Sequence, residues 1–439
     1  MEILVMVGQL LLGLSILVGL HELGHLLAAK LFGMRVEKYS IGFPPKIFGF
    51  QWGETEYSVG AIPLGGFVKI SGMIDESLDM EQMREEPKPW EFRAKPAWQR
   101  LIVMMGGIIV NIITGIVIFI ALIYANGDRY LPTSEVKYGI YASELAQEIG
   151  LRTGDQIIAI NGESFDQFDD VMGLDVLLGT DSYYTVRRDG RVLDIPIPND
   201  LIEKLSDRSA REGLVVAREP FTAREVPPNS EAARAGLQAG DRIVQINEQP
   251  IQFFHEYYMM ADSLKGQPVN LRVLRGNDTI PMTASFSEKG QLGFIAQPEF
   301  KRDTIFYSLA EAIPLGTERA FNVVWANIKG FAKIFRGEVS PSKAISGPVG
   351  MAEIYGSSFD WTKFWGITGF ISMVLAFMNF LPIPALDGGH VMFLTYEMIS
   401  GRKPSDKFLE NSQKVGIVLL LGLMAFAIGN DIFKLVTNP

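Results

Sequence analysis

The stretch His21-Glu22-Leu23-Gly24-His25 contains the residues with the clearest potential for chemistry. On a helix, His21 and His25 lie one turn apart on the same face, so both imidazoles can bind one metal ion. Glu22 is offset by about 100° around the helix and can reach an attacking water without ligating the metal. This pattern predicts His21 and His25 as metal ligands and Glu22 as a general base.

Four long apolar runs carry or surround this motif. The runs cover residues 3–20 with 26–31, 101–125, 366–386 and 415–430. Uncharged runs of about 18 residues or more predict helices that cross a membrane. The alternative, that some of the runs are buried helices of a large soluble protein, would have to account for four of them together with the charge asymmetry described below.

The membrane setting decides between readings of the histidine motif. Chance, or two core histidines satisfied by hydrogen bonds, would also give this spacing. However, the three polar side chains adjoin an uncharged run, and ionisable groups within a spanning helix are costly and usually functional. A metal site is therefore favoured.

A catalytic tetrahedral zinc takes three protein ligands, so a third ligand must lie at membrane depth. The candidates are Asp387, His390 and His255, of which His255 lies in the polar middle of the chain. Asp387 follows Pro382 and Pro384 and precedes two glycines, and such residues break a helix. Broken backbone at membrane depth is tolerated where it lines a cavity. Because a carboxylate is also the preferred ligand type here, Asp387 is the predicted third ligand.

Composition and charge limit the possible partners and set the orientation. The 439 residues carry a net charge of −10 and no cysteine, which excludes nucleic acid as the expected partner, a disulfide framework and a thiolate nucleophile. Basic residues flank the connections at 31–100 and 395–414 and are sparse beside the large middle connection. The positive-inside rule therefore places these two loops in the cytoplasm, with both termini and the middle outside.

The middle of the chain contains one pattern twice, with an offset of 86 residues at every position. The matched residues are Ala146, Gly150, Leu151, Gly154, Asp155, Ile157, Ile160 and Asn161 with Ala232, Gly236, Leu237, Gly240, Asp241, Ile243, Ile246 and Asn247. A constant offset predicts a duplicated unit. The order of helix, Gly-Asp, strand and Asn turn resembles the PDZ domain, which binds peptides as an added strand. A module with only a packing role remains the alternative.

Apolar and polar side chains alternate within residues 57–70, and the stretch contains the turn residues Pro63 and Gly65-Gly66. This pattern predicts a β-hairpin. Charged residues and two prolines predict a loop at 74–90.

Taken together, the metal motifs resemble the site-2 protease family of intramembrane zinc metalloproteases, and more narrowly the branch that contains the bacterial regulator of sigma-E protease. The resemblance covers nearly the whole chain. It depends on the histidine motif in the first span, on Asn379-x-x-Pro-x-Pro-x-Leu-Asp-Gly-Gly in the third, and on two PDZ-like units between the second and third spans. Gly106-Gly107 with Asn111, the segment Pro63–Lys69, and Gly347-Pro348-Val349-Gly350 also match.

The resemblance implies residue roles. It implies that His21, His25 and Asp387 bind Zn²⁺, that Glu22 is the general base, and that Asn379 binds substrate or the developing oxyanion. A helix-to-helix hydrogen bond is the simpler role for Asn379, and His390 is expected to support the site without ligating. Gly65, Gly66 and Phe67 would belong to a membrane-dipping β element that holds an unwound substrate; an ordinary cytoplasmic hairpin is the alternative.

The predicted fold class is a polytopic α-helical membrane protein of four transmembrane helices, with two extracytoplasmic α+β PDZ domains and a membrane-associated β-hairpin. The predicted order is a first span (1–31), a cytoplasmic region with the hairpin (32–96), a second span (97–126), PDZ units (127–211 and 212–300), a membrane-surface region (301–364), a broken third span (365–395), a cytoplasmic loop (396–412) and a fourth span (413–436).

The expected function is zinc-dependent cleavage of the transmembrane segments of single-span proteins in the bacterial inner membrane. By resemblance, the substrates are anti-sigma factors and signal-peptide remnants, first shortened outside by an upstream site-1 protease. Two rivals are a non-catalytic PDZ scaffold and a metal transporter. The intact metal motifs argue against the scaffold, and the PDZ-like units argue against the transporter.

Overall fold

The protein consists of two compact units. One unit contains Met1–Gly127 and Phe306–Pro439, and the other contains Asp128–Ile305. The structure, a computed structural model, describes three stretches of the chain: 2–73, 86–205 and 214–437. The predicted loop at 74–90 therefore lies mostly outside the described residues.

Helices dominate the first unit and strands the second. The α-helices of the described stretches are α1 Glu2–Leu31, α2 Ala97–Asn126, α3 Glu144–Glu148, α4 Leu174–Leu177, α5 Leu201–Leu205, α6 Glu231–Arg234, α7 Phe254–Ser263, α8 Leu309–Phe335, α9 Pro341–Ala344, α10 Pro348–Tyr355, α11 Trp361–Phe380, α12 Asp387–Ser400 and α13 Asp406–Thr437. The strands are β1 Val36–Trp52, β2 Thr55–Ile70, β3 Asp128–Tyr130, β4 Ile140–Ala142, β5 Gln156–Ile160, β6 Tyr183–Arg188, β7 Arg191–Pro196, β8 Val215–Ala217, β9 Phe221–Glu225, β10 Arg242–Ile246, β11 Gln249–Pro250, β12 Pro268–Arg275, β13 Asp278–Ser285, β14 Ile295–Pro298 and β15 Asp303–Ile305.

Four helices of the described residues are long and apolar enough to cross a membrane. They are Glu2–Leu31, Ala97–Asn126, Trp361–Phe380 and Lys407–Lys434. Each contains one predicted apolar run, except that the third helix ends before its run does. The chain is therefore a polytopic helical membrane protein, as predicted.

The helices α1 and α2 pack closely at glycines. A Cβ added at Gly24 would overlap the carbonyl group of Gly106, and one added at Gly106 would lie 2.6 Å from the carbonyl oxygen of Gly24. Such an approach of two backbones requires residues without side chains. At Gly107 a Cβ would lie 2.5 Å from both His21 Cε1 and His25 Nε2. These glycines bring the histidine face of α1 directly against α2.

The strands β1 and β2 form a small sheet of four segments. Tyr39 of β1 lies opposite both Tyr57 and Val68 of β2, because β2 passes on both sides of the first half of β1. The order of segments across the sheet is 66–70, 36–43, 55–60 and 46–52. Segment 66–70 is therefore an edge with one strand neighbour among the described residues.

The prediction of a hairpin within 57–70 is wrong in its pairing. The two halves of this stretch are both strands, but segment 36–43 lies between them and they do not pair with each other. The sequence interpretation missed β1 because Pro44-Pro45 interrupts its alternation. The turn residues of β2 therefore connect two segments that lie on opposite sides of segment 36–43, and they do not form a hairpin turn.

The third predicted span is broken, as expected from its prolines. The helix α11 ends at Phe380, and α12 begins at Asp387. At Gly389 a Cβ would lie 2.6 Å from the carbonyl oxygen of Ile383, and at Gly388 it would overlap the carbonyl of Leu381. The two glycines therefore allow α12 to start directly against the proline-containing loop, with Asp387 in its first turn.

Further contacts fix the fourth span. A Cβ at Gly416 of α13 would overlap the carbonyl of Pro384, so α13 touches the loop that precedes Asp387. At the other end of α13, Asp431 accepts backbone hydrogen bonds from Gly347, Val349 and Gly350 over 2.9, 2.9 and 3.3 Å. The Gly-Pro-Val-Gly motif is thus the segment whose amides this buried carboxylate holds.

The region 301–364 contains a long helix that the sequence interpretation did not resolve. The helix α8 begins with a capping box formed by Ser308 and Glu311. It packs on α2 and α11, with Gly316 against the backbone of Ile120.

The second unit contains two modules with the same local construction. Ser143 and Ser230 cap the short helices α3 and α6. A Gly-Asp turn, a strand and an asparagine with positive φ follow in each module; φ is 53° at Asn161 and 54° at Asn247. Each module has its own cluster of buried apolar residues.

Candidate metal centre

Three side chains meet where α1 faces the start of α12. His21 Nε2 lies 3.1 Å from Asp387 Oδ2, His25 Nε2 lies 3.3 Å from the same oxygen, and the two Nε2 atoms are 3.2 Å apart. The structure therefore brings the three predicted ligands together. They come from elements more than 350 residues apart in sequence, joined by the packing of α11 and α12 on α2.

The spacing of these atoms suits a zinc ion. At zinc–nitrogen and zinc–oxygen distances of about 2.0–2.1 Å, the ligand atoms of a tetrahedral site lie about 3.3 Å apart. Asp387 Oδ2 is buried and has no well-oriented hydrogen bond among the described residues, although two imidazole nitrogens face it. Buried polar atoms are normally paired, so a shared cation explains this convergence of three acceptors.

The helix α2 supplies the outer partner of each imidazole. His25 Nδ1 lies 2.8 Å from the carbonyl oxygen of Val103, and His21 Nδ1 lies 3.2 Å from Asn111 Nδ2. Val103, Gly107 and Asn111 follow one another at intervals of four residues, so they share one face of α2. Bonds to the second ring nitrogen fix which nitrogen is free to bind a metal.

A cavity of about 640 Å³ opens beside the three ligands. Among the residues that line it are Glu22, Asn379, Gly65, Gly66, Phe67, His390 and Gln413. Asn379 Nδ2 lies 3.4 Å from His21 Nε2. The backbone N–H of Val68 approaches the Glu22 carboxylate. The predicted base and the predicted substrate-binding residues thus face the same space as the ligands.

The other two histidines lie elsewhere. His390 lies in the cavity wall, one turn beyond Asp387, and is outside the group that can hold a metal. His255 belongs to α7 in the second unit, where its ring stacks on Tyr141 at 4.6 Å. Among the described residues, the group with metal-binding geometry is His21, His25 and Asp387.

Sequence reasoning gave no role to Asn111 or Gln413. Asn111 is fully buried in α2, and Gln413 reaches the cavity from α13. A polar residue four positions after a glycine in an otherwise apolar span was an available indication for Asn111. Gln413 lies next to Lys414 at the end of its span, where polar residues are ordinary.

Comparison with known proteins identifies the family. The sequence pattern of peptidase family M50 matches residues 9–423. The chain belongs to peptidase family M50. Its relatives include the regulator of sigma-E protease RseP of Salmonella typhimurium, 28% identical over 99% of this chain and 100% of the relative. A protein of Pasteurella multocida named as a zinc metalloprotease is 29% identical over 96% of this chain and 97% of its own. The protease RseP of Yersinia pestis is 28% identical over 99% and 100%.

This M50 protease is accordingly an intramembrane zinc metalloendopeptidase. The resemblance to the site-2 protease family is confirmed, and the scaffold and transporter alternatives are not supported.

Proposed function

We propose that His21, His25 and Asp387 hold the zinc of this M50 protease and that Glu22 moves the proton during cleavage of a membrane-embedded peptide segment. The observation that carries this proposal is the triangle of ligand atoms 3.1–3.3 Å apart within the unit that contains all four candidate spans. Zinc, when bound, supplies Lewis-acid activation of water and of the scissile carbonyl.

Glu22 acts as a base rather than as a ligand. It lines the cavity beside the ligands but does not belong to their triangle. Its carboxylate would take a proton from the attacking water and deliver it to the leaving amine. The backbone N–H of Val68 approaches this carboxylate and favours its charged form.

Asn379 would stabilise the substrate carbonyl. It lies in the last turn of α11, and its Nδ2 is 3.4 Å from His21 Nε2. An amide donor beside a ligand atom is well placed to donate to the oxygen that gains charge during attack.

The edge segment 66–70 would hold the substrate in an extended form. Ser71 N–H donates to Arg35, and backbone groups alternate in direction along a strand. The backbone N–H and C=O groups of Gly66, Val68 and Ile70 therefore face away from β1, toward the side where the Val68 N–H approaches the Glu22 carboxylate. A helical substrate must unwind before attack, and pairing with this edge would compensate for its lost hydrogen bonds.

A glycine variant tests the edge segment. A Cβ at Gly66 would lie 2.6 Å from Ser40 O and 2.7 Å from Val18 Cγ1, so Gly66→Ala must shift the segment away from α1. We expect slower cleavage with unchanged zinc content. Gly8→Ala, at a glycine with no atom within 4 Å of the added Cβ, is the matched control. Wild-type cleavage by the Gly66 variant would remove the segment from the proposal.

The duplicated modules of the second unit act as PDZ domains on the outer side of the bacterial inner membrane. The repeated helix, Gly-Asp turn, strand and asparagine turn support the PDZ assignment, and the basic residues at 31–100 and 395–414 support the orientation.

The substrates are single-span membrane proteins. A relative is named a regulator of sigma-E, which supports substrates that control a sigma factor, such as anti-sigma factors. The resemblance to the site-2 protease family implies that an upstream site-1 protease cuts them first and that signal-peptide remnants are a further class.

Cleavage in detergent tests the proposed function. A purified single-span substrate is incubated with the full-length protein, with a chelator, and with the chelator followed by zinc. We expect cleavage within the transmembrane segment, loss with the chelator and recovery with zinc. Cleavage that persists in the metal-free protein, or only outside the transmembrane segment, would refute the proposal.

A further inference from the structure

The outer ring nitrogen of His21 faces an amide whose orientation matters. His21 Nε2 points at Asp387 and His25, so it is the ligand atom, and the proton of the neutral ring must then lie on Nδ1. The Asn111 side chain is 3.2 Å from Nδ1 through Nδ2, which is also a donor. Two donors would face each other when His21 ligates a metal.

The same amide contains an unused acceptor. Asn111 Oδ1 is buried and has no hydrogen-bond partner among the described residues. A rotation of the amide by 180° exchanges Oδ1 and Nδ2, which differ little in shape. The exchange gives His21 Nδ1–H an acceptor and gives Oδ1 a partner, and it places Nδ2 at the position that Oδ1 occupies here.

The surroundings of Asn111 hold it in position for this role. Its backbone carbonyl accepts a 2.8 Å hydrogen bond from Ser372 Oγ of α11, and both residues are fully buried. On the same face of α2, the carbonyl oxygen of Val103 lies 2.8 Å from His25 Nδ1 and is its hydrogen-bond partner. Each imidazole therefore has its own partner on α2, one from the main chain and one from a side chain.

We propose that Asn111 is a positioning residue that accepts the Nδ1–H bond of His21 and thereby keeps Nε2 free for zinc. The inference rests on the proposed role of His21 as a ligand. Partners of ligating histidines raise metal affinity because they fix the ring and its tautomer. Asn111 does not touch the substrate in this role; it acts through His21.

Two substitutions separate acceptance from other roles. Asn111→Leu removes the acceptor with a side chain of the same branching, whereas Asn111→Asp keeps an acceptor oxygen whether or not the carboxyl is protonated. Zinc affinity of the full-length protein in detergent is measured by competition with a chelator. We expect a loss of about 10- to 100-fold for Asn111→Leu and recovery to within a few-fold of wild type for Asn111→Asp. Asn126→Leu, an exposed asparagine at the end of α2, is the control and should bind zinc normally.

Three outcomes would overturn the inference. The first is an Asp variant that binds zinc as weakly as the Leu variant, because His21 would then need the amide donor. The second is a Leu variant with normal zinc affinity but a lower melting temperature of the zinc-free protein, which would make Asn111 a packing residue. The third is normal zinc affinity in both variants. Full zinc affinity in His21→Ala would instead refute the ligand assignment itself, which distinguishes failure of the proposed function.

Discussion

Two carboxylates, one in each unit, have opposite surroundings. In the second unit, Asp241 accepts from Arg275 Nε and Nη2 over 2.8 and 2.7 Å and from the Gln238 backbone over 2.8 Å. In the first unit, the Oδ2 atom of Asp387 faces two imidazole nitrogens and has no well-oriented hydrogen bond among the described residues. Asp241 follows a glycine and Asp387 precedes one, so the local sequence pattern alone does not distinguish the two carboxylates.

The difference separates a structural carboxylate from a chemical one. The repeated Asp155 has the same partners as Asp241, with Arg188 and the Arg152 backbone amide, and both side chains are 1% exposed. A fully satisfied carboxylate stabilises a turn. An unsatisfied one surrounded by other acceptors has capacity for a cation. The predictions below test this contrast in order of expected effect.

The largest effect is expected at Glu22, which faces the cavity without ligating. Glu22→Gln should lower cleavage by about 10²- to 10⁴-fold while zinc stays bound, because the amide cannot take the proton. Turnover is measured on a single-span substrate and zinc by elemental analysis. Substantial turnover by this variant would remove Glu22 from the mechanism.

Asp387 and His390 should differ in their effect on metal content. Asp387→Ala should lower both zinc content and cleavage, since it deletes one corner of the ligand triangle. His390→Ala should keep the zinc. The reverse result, with zinc lost only from the His390 variant, would mean that the third ligand is misassigned.

Removal of the second unit should leave the metal site intact. All residues of the site belong to the first unit, and Asp128 and Ile305 are paired across β3 and β15, so a short linker can replace residues 128–305. We expect normal zinc binding, continued cleavage of short substrates and new cleavage of substrates with a bulky outer domain. This follows if the unit filters substrates by size.

The competing role for the second unit is to grip the trimmed end of a substrate. Slower cleavage of the short substrate after deletion, without gain on the long one, would favour that role and contradict the filter. Comparing long and short versions of one substrate therefore decides between the two.

The smallest effect is expected at Asp241. Burial raises the pKa of this carboxyl, but hydrogen bonds from Arg275 and the Gln238 backbone, with the Arg275 charge, bring it below its usual value. The resulting stabilisation is complete above the unfolded-state pKa of about 4 and is lost as the pH falls through the lower folded-state pKa. Asp241→Asn should reduce this stabilisation of the folded second unit by about 1–3 kcal/mol.

Hydrogen exchange in the full-length protein can measure the change at Asp241. Faster exchange in β10 with unchanged zinc affinity is expected. A loss of zinc from the Asp241→Asn protein would contradict the contrast between the two carboxylates.

Much of this protein was predictable from local patterns. An uncharged run long enough to span a bilayer can be recognised without the tertiary structure, and so can two histidines spaced one helical turn apart. The two prolines before Asp387 predicted the break between α11 and α12 because they cannot continue a helix. The pairing of β2 was not predictable, since Pro44-Pro45 hid the strand that lies between its halves.

The sequence by itself determined the spans, the histidine motif, the helix break and the short list of third ligands. Only the tertiary structure decided which of these meet: Asp387 rather than His390 faces Nε2 of both histidines, and Asn111 rather than another polar residue faces His21 Nδ1. The reason is that helix periodicity fixes the face on which a side chain lies, whereas the partner of that face depends on packing. Here glycines set the packing. Gly24 against Gly106 lets α1 pack directly on α2, and Gly388 and Gly389 let α12 begin directly against the proline-containing loop, with Asp387 in its first turn.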